Sequence, residues 1–409
     1  MTDAIVSRLM PTFTVCLQDK GIVLSIMANL PISYLNTIQD LRKELHQYPE
    51  YSGREKKTAA RIQEFCADFK PDFVIEKLGG NGFALVFEGA KDGKTLMLRA
   101  ELDALPLDEV IEIPHRSLNK DLSHKCGHDG HMAILCGVAA MLHKNRPKSG
   151  RVVLLFQPAE ETGKGAKAVL NDPKFKGIVP DYIFALHNLP GFPVGSIIVK
   201  NGPFAYASLG IFTRIKGESS HAAFPEHGIS PLPALQELLG TLQELPVIIP
   251  GLHKNTILTI TYCRLGHFVF GTSPGQAELA ATMRSERNLD IEKIKAEIIP
   301  MIREIGIRYM LDTIIHWHEP FSATVNAPEA VTMIRTAARK LDLPIVERTE
   351  PFRWSEDFGE FTAKFPGAIF GLGSGEHHSD LHTPHYDFPD EIIEPGIRIF
   401  YEMIKQINR

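Results

Sequence analysis

Apolar positions recur at helical spacing twice near the start of the chain. Over residues 36–48, Ile38, Leu41 and Leu45 share one face and Pro49 ends the pattern; over 55–69, Ala59, Ile62, Phe65 and Cys66 line one side. Residues 95–100, 151–156, 181–186 and 368–372 are instead short, mostly apolar and bounded by turn residues. Such runs predict strands covered on both faces, the pattern of a largely parallel sheet. Between the first two lies a helix over 131–144, apolar at Ile134, Leu135, Val138 and Leu142, with Asp129 positioned to cap it. Strand, helix, strand is α/β wiring.

The pattern changes near Gly202. Residues 207–215 alternate and predict a half-exposed strand. A helix over 232–245, strands over 256–262 and 277–283, and a charged amphipathic helix over 291–309 follow. That order suits a small α+β sandwich inserted into the larger unit, which resumes with a helix over 329–340. The expected segments are an N-terminal extension (1–34), the main unit (35–201 and 315–409) and the insertion (202–314). Linkers near Gly202 and Leu311 would let the insertion swing over the main unit.

Composition narrows the function classes. Across 409 residues, 44 Lys and Arg face 49 Asp and Glu, a net charge of −5, which argues against nucleic-acid or anionic-membrane partners. No apolar run reaches spanning length; 21–33 comes nearest and is broken by Asn29 and Pro31. A signal peptide there would have an acid-containing leader and no clean small-residue cleavage site. The plainer reading makes Met27 a start and 1–26 an extension with little structure. The five cysteines (Cys16, Cys66, Cys126, Cys136, Cys263) are odd in number and scattered, which points to a reducing compartment, the cytoplasm.

The polar residues cluster where strands end, and ligand sites of open α/β sheets form at the carboxyl ends of strands. Glu101 and Asp103 follow the first strand, and Cys126-Gly-His128-Asp129-Gly-His131 precedes the helix. Glu160 and Glu161 follow the second strand, His187 and Asn188 the third, and His382 comes after the fourth. Adjacent glutamates straight after an apolar strand need a cleft or a cation to solvate them. Thiolate, imidazole and carboxylate together suit zinc, manganese, nickel or cobalt, and the donors exceed what one tetrahedral ion takes, so a pair of divalent ions is expected. One glutamate of the pair then suffices as ligand and the other is free to act as general base. A Cys126 nucleophile activated by His128 or His131 is the competing chemistry, but it leaves Glu160, Glu161, His187 and His382 without a role.

These residues resemble a two-metal amidohydrolase of the aminoacylase and carboxypeptidase family, in the branch of hippurate hydrolases and indole-acetyl-amino-acid hydrolases. The matching strings are LRKELHQYPE (41–50), LRAELDALP (98–106), CGHDGHMA (126–133), FQPAEETGKGA (156–166), LHNLP (186–190), SSHAAFPEHG (219–228), WSEDFGEF (354–361) and LHTPHYDF (381–388). The resemblance implies Cys126, His128, Glu161, His187 and His382 as metal ligands and Glu160 as general base. Asp103 would orient a ligand, and Arg99 and Glu101 would support the site. His221 would stabilise an oxyanion, often in the partner subunit's site, and Arg284 would contact a substrate carboxylate. His385 is expected to face the cleft, with His131, His377 and His378 behind it or at its rim. The insertion would be a lid and dimerisation domain, making a homodimer that acts on a small-molecule amide. The implied reaction is hydrolysis of an N-acyl amino acid or small peptide-like amide. A dipeptidase, an N-acetyl-diamino-acid deacetylase and a non-catalytic binding relative are the alternatives. Gly271-Thr-Ser-Pro274 stands where relatives carry Asn-Val-Ile-Pro, and Ser230 where they carry Asp, departures that bear on substrate and dimer rather than on the ligands.

Overall fold

The computed structural model describes residues 32–409. The Met27 start, Cys16 and all but the last residues of the expected extension (1–34) and signal-peptide segment (21–33) lie outside the described residues, while residues 32–34 belong to the helix Ile32–Gln47.

The first part of the chain runs α1 (Ile32–Gln47), α2 (Lys56–Ala67), β1 (Phe73–Leu78), β2 (Gly82–Glu88), β3 (Thr95–Glu101), α3 (His128–Lys144), β4 (Arg151–Gln157), α4 (Gly165–Asn171), β5 (Tyr182–Pro190) and β6 (Ile197–Val199). A second group follows: β7 (Gly202–Ala205), β8 (Ala207–Lys216), β9 (Ser220–His221), α5 (Leu232–Ile248), β10 (Ile257–Leu265), β11 (Thr272–Ser273), β12 (Gln276–Ser285), α6 (Asn288–Arg308) and β13 (Asp312–Phe321). The chain closes with β14 (Thr324–Asn326), α7 (Pro328–Lys340), β15 (Ile345–Glu347), α8 (Gly359–Thr362), β16 (Gly367–Gly375) and α9 (Ile393–Ile407).

The large sheet has the order β1-β2-β4-β3-β5-β16-β6-β15. Its centre, β4-β3-β5-β16, is parallel, and antiparallel pairing joins β2 to β4, β1 to β2 and β6 to β16. Alternation along β3 sends Leu96, Leu98 and Ala100 into a core with α1, α2, α3, α7 and α9, and Met97 into a core on the other face with α4 and α8. Burial on both faces explains the unbroken apolar runs. This α/β architecture is the expected one.

The small sheet, β10-β12-β8-β13, is antiparallel and packs one face on α5 and α6 through a core of its own, from Ala207 to Ala323. Its other face carries Gly210, Thr282 and Arg284 to the cleft between the sheets. Residue 314 therefore falls inside β13, and the chain returns to the large unit near Ser322 rather than at 315. Near the other crossing, Tyr206 donates its backbone N–H to the Phe352 and Trp354 carbonyls. The β1–β2 hairpin and β13 had no predicted counterpart. Asp129 does not cap α3, because Gly127 is the capping position and Asp129 lies buried inside the first turn. Among the described residues no helix is long and apolar enough to cross a membrane.

Candidate metal centre

Parallel wiring brings the expected donors to one edge of the large sheet. Asp103 follows β3, Glu160 and Glu161 follow β4, and His187 stands near the carboxyl end of β5. Cys126 and His128 flank Gly127 at the start of α3. Gly127 has φ +90°, and a Cβ there would lie 2.6 Å from the Asn188 side chain, so only glycine lets both donors turn to one point. His382 comes from the loop after β16 with φ +57°, its N–H bonded to the Lys125 carbonyl.

The donor atoms form three linked groups: Cys126, His128 and His187; Cys126, Glu161 and His382; His128, Glu160 and Glu161. Within each, the atoms lie within 4.8 Å of one another. Cys126 Sγ is 3.5 Å from His187 Nε2 and 3.4 Å from His382 Nε2, while Glu161 Oε1 lies 3.9 Å from His128 Nε2 and 3.8 Å from His382 Nε2. Cys126, His128 and Glu161 each belong to two of these groups, an arrangement suited to a pair of ions rather than one.

Neighbouring groups fix which imidazole nitrogen faces this space. A carbonyl only accepts, so His128 Nδ1 donates to the Asp103 carbonyl at 2.9 Å and His187 Nδ1 to the Asn188 carbonyl at 2.9 Å. Both Nε2 lone pairs are thereby turned inward. Asp103 Oδ2 accepts from Ser52 Oγ at 2.6 Å and from the Glu161 N–H at 3.0 Å, tying ligand-bearing segments together. His128 Nε2 and Glu161 Oε1 are buried without a hydrogen-bond partner. Burial pushes the Cys126 thiol well above its usual range, and Glu161 and Glu160 add to the shift. Burial likewise raises Glu161 to about 7 and, with Glu356 and Glu161, lifts Glu160 well above the carboxylate range. Crowded, desolvated anionic donors with unpartnered atoms fit divalent cations, which invert this logic by stabilising the deprotonated forms.

The profile of peptidase family M20/M25/M40 matches residues 97–406. This chain belongs to that family. It is 30% identical over 368 residues to N-acetyl-L-cysteine deacetylase of Bacillus subtilis, covering 90% of this chain and 87% of that protein. It is 31% identical over 365 residues to N-acetyldiaminopimelate deacetylase of Anoxybacillus flavithermus, covering 87% and 94%. Among solved structures, a dinuclear metal-binding M20 peptidase of Bacillus subtilis superposes with a TM-score of 0.76 at 26% identity, covering 92% of this chain and 99% of that one. The family resemblance therefore holds, while these relatives carry the names of deacetylases and not of the hippurate branch.

Not every expected residue of this M20 chain reaches the centre. Cys126, His128, Glu160, Glu161, His187, His382 and Asp103 come together, and Arg284 lines the same cleft from β12. His221 does not line it. It sits on β9, exposed, in the small unit, where the β9–β11 ladder holds it. His385 is also exposed and lies off the cleft wall, and His377 is exposed on its loop. His131 is buried behind the ligands, 2.5 Å from both Glu101 Oε2 and Asn188 Oδ1.

Beyond Arg99 and Glu101, two acids of the supporting layer, Glu356 and Asp357, escaped the sequence reading. Arg99 is fully buried and donates to Glu356 at 2.9 Å, Asp357 at 2.7 Å, Gln157 at 2.9 Å, and also to Glu101. Glu356 and Asp357 in turn stand within reach of Glu160. The string WSEDFGEF contained both acids, but nothing local ties them to Arg99, which lies far upstream. Helix α1 supplies Arg42 and His46, which hold Asp129 at 3.4 and 2.8 Å. Their spacing of four puts them on one helix face, the one available signal.

Proposed function

We propose that this protein hydrolyses the amide bond of an N-acyl amino acid, with N-acetyl amino acids as the preferred class. The observation that carries this is one cleft of about 530 Å³ lined at once by Cys126, Glu161, His187 and His382, by the spare carboxylate Glu160, and by the guanidinium of Arg284. The names of the two deacetylase relatives support the acetyl group over the benzoyl or indole-acetyl group.

Cys126, His128, Glu161, His187 and His382 would hold two divalent ions, whose chemistry is to polarise a carbonyl and acidify water. Glu160 accepts a proton from the attacking water as the water oxygen adds to the acyl carbon. When the C–N bond breaks, Glu160 returns that proton to the leaving nitrogen, so amide and water become a carboxylic acid and an amine. Arg284 receives the carboxylate of the amino-acid half and sets which face of the amide meets Glu160. The Arg99 cluster keeps Glu160 in place through Glu356 and Asp357, Asp357 donating its N–H to Glu160 at 3.4 Å.

We further propose that the working unit is a cytoplasmic homodimer in which His221 serves the site of a second copy. Its exposure on β9, off its own cleft, supports that role, and free Cys66, Cys126, Cys136 and Cys263 support a reducing compartment. Mixing a His221→Ala protein with a Glu160→Ala protein should regain activity neither has alone; no recovery on subunit exchange would reject the shared site.

A panel of N-acetyl amino acids, N-benzoyl amino acids and dipeptides, run with Mn²⁺ or Zn²⁺, tests the main reading. N-acetyl amino acids should turn over fastest. Faster dipeptide cleavage would make this a peptidase, and silence with metal bound would leave a binding protein.

A further inference from the structure

One end of the cleft lies where the two units join. There Tyr206 donates its backbone N–H to the Phe352 and Trp354 carbonyls at 3.1 and 3.0 Å, and Phe352 donates its own to the Phe204 carbonyl at 2.7 Å. From β12, Arg284 donates to the Arg353 carbonyl at 3.2 Å and to Ser355 Oγ at 3.1 Å. Segment 352–355 is thus tied down along its length, and Trp354, in the middle of it, lines the cleft. Toward the other end stand Thr162, next to Glu161, and Phe321, on β13. Arg284 and Phe321 pair with Ser208 from opposite sides of β8, so two strand spacings, about 10 Å, separate their backbones.

The indole of Trp354 is half-buried and braced by other rings. Phe352 stacks on it with centres 5.0 Å apart and planes 25° from parallel, and Phe204 meets it edge-on at 6.0 Å. The ring of His187, one of the inward donors, lies 5.4 Å away. Arg348 lies over Phe352 in turn, 4.2 Å from the ring centre. An indole packed in this way has little freedom left to lose, so the surface it shows to the cleft is apolar and already in place.

We infer that Trp354 is a specificity residue that receives the amino-acid side chain of the substrate and favours large apolar side chains, aromatic ones above all. This rests on the N-acyl amino acid reading and narrows its amino-acid half. A carboxylate taken by Arg284 lies beside residues 353 and 355, and an amide carbonyl at the ligands lies beside His187. The α-carbon joins those two groups, and Trp354 neighbours both places, so the substituent on that carbon is delivered to the indole. The acyl group then extends toward Thr162 and Phe321. A phenyl ring meets the indole as an aromatic pair and leaves water; a methyl group covers little of it.

Metal-loaded enzyme assayed with Nα-acetyl-L-phenylalanine, Nα-acetyl-L-leucine and Nα-acetyl-L-alanine tests this. The wild type should prefer the phenylalanine derivative over the alanine derivative by about tenfold in kcat/KM, through KM, the scale of one partly buried aromatic side chain, with leucine between them. Trp354→Ala should lower that ratio at least threefold by weakening the phenylalanine derivative alone, and Trp354→Phe should keep most of it. A wild-type ratio below twofold, or a smaller change in Trp354→Ala, overturns the inference. So does a Trp354→Ala protein that loses metal or loses all three substrates alike, since that marks packing against His187 and nothing more. If no Nα-acetyl amino acid is hydrolysed, the functional reading fails instead, and fluorescence decides Trp354. The chain has two tryptophans, and the other, Trp317, packs against the core of the small unit. In a metal-loaded Trp317→Phe protein the emission of Trp354 should change as L-phenylalanine binds, saturating at about tenfold lower concentration than with L-alanine. No change, or equal concentrations, rejects the subsite.

Discussion

The two walls of the cleft are built on opposite principles. The wall formed by the large sheet is mostly buried: His128 and His187 are each oriented by a backbone carbonyl, and behind the donors stand ion clusters around Arg99 and Arg42. The wall formed by the small sheet is more open, and its guanidinium, Arg284, has a carbonyl and a hydroxyl as its hydrogen-bond partners among the described residues, with no carboxylate at ion-pair distance. A reacting centre gains from donors that need no reorganisation when charge develops. A recognition surface needs the reverse, because a charge already paired within the protein has little left to offer a ligand. The division predicts that changes on the first wall act on turnover and stability, and changes on the second on KM and selectivity.

The largest effect should come from Glu160. Glu160→Gln keeps the shape and leaves the five proposed ligands intact but removes the proposed proton acceptor. The expected loss in kcat is about 10³-fold, within the range of general-base removal, with metal content by elemental analysis unchanged. A variant that retains substantial kcat would move the base elsewhere, and one that loses metal would make Glu160 a ligand.

Next is the support of that wall. Arg99→Leu leaves Glu101, Glu356 and Asp357 buried beside one another without their shared cation. Breaking such a buried network by removing one partner costs about 3–5 kcal/mol, so urea denaturation of the loaded protein should show a loss of that order. A loss under 1 kcal/mol would mean that the acids take up protons and the cluster matters less than its burial implies.

What the sequence made legible, and what it left hidden, follows the same division. The donors could be read because each follows a recognisable apolar strand, so local pattern and chemistry coincide at Glu160, Glu161 and His187. The supporting clusters could not, because Arg99 meets Glu356 and Asp357, and Arg42 meets Asp387, only after the chain has folded across hundreds of residues. Strand β13 (DTIIHWHEPF) was hidden by chemistry of another kind. It is an edge strand with one open face, so His, Glu and Pro interrupt its apolar side and blur the alternation. Asp129 misled because an acid at a helix start normally caps, whereas here Arg42 and His46 draw it inward. His385 stands next to an informative string, and proximity in sequence did not carry it to the cleft.

The cluster beneath α3 gives a pH test of the buried wall. Burial alone would lower the pKa of His46, but Asp129 at 2.8 Å and Glu109 at 3.1 Å outweigh it and raise the value to about 9. A histidine whose folded pKa lies above 6.5 contributes stability that is complete below about pH 6.5 and is lost as pH rises through 9. The ceiling is about 3 kcal/mol. Glu109, held at about 2 by its partners against the cost of burial, works in the opposite direction and loses its contribution only as pH falls from about 4.5 through 2. At fixed metal concentration, urea midpoints should therefore fall between pH 6.5 and 9.5, and His46→Gln should flatten that slope. A slope unchanged in the variant would assign it to other groups.

The smallest effect separates the walls most cleanly. Arg284→Met keeps an unbranched chain of similar bulk and removes the guanidinium, whose contacts within the protein are one carbonyl and one hydroxyl. It makes no hydrogen bond to any of the metal-side donors among the described residues, so unfolding midpoint and metal content should stay within error of the wild type. A carboxylate that loses a charge-assisted contact binds about tenfold more weakly, and the loss should appear in KM with kcat little changed, the mark of binding that is equal in ground and transition states. An N-acetyl amino-acid amide, which lacks the carboxylate, should be insensitive to the substitution. If kcat falls as far as KM rises, Arg284 acts on the reacting geometry itself, and the division between a wall that reacts and a wall that recognises would have to be redrawn at β12.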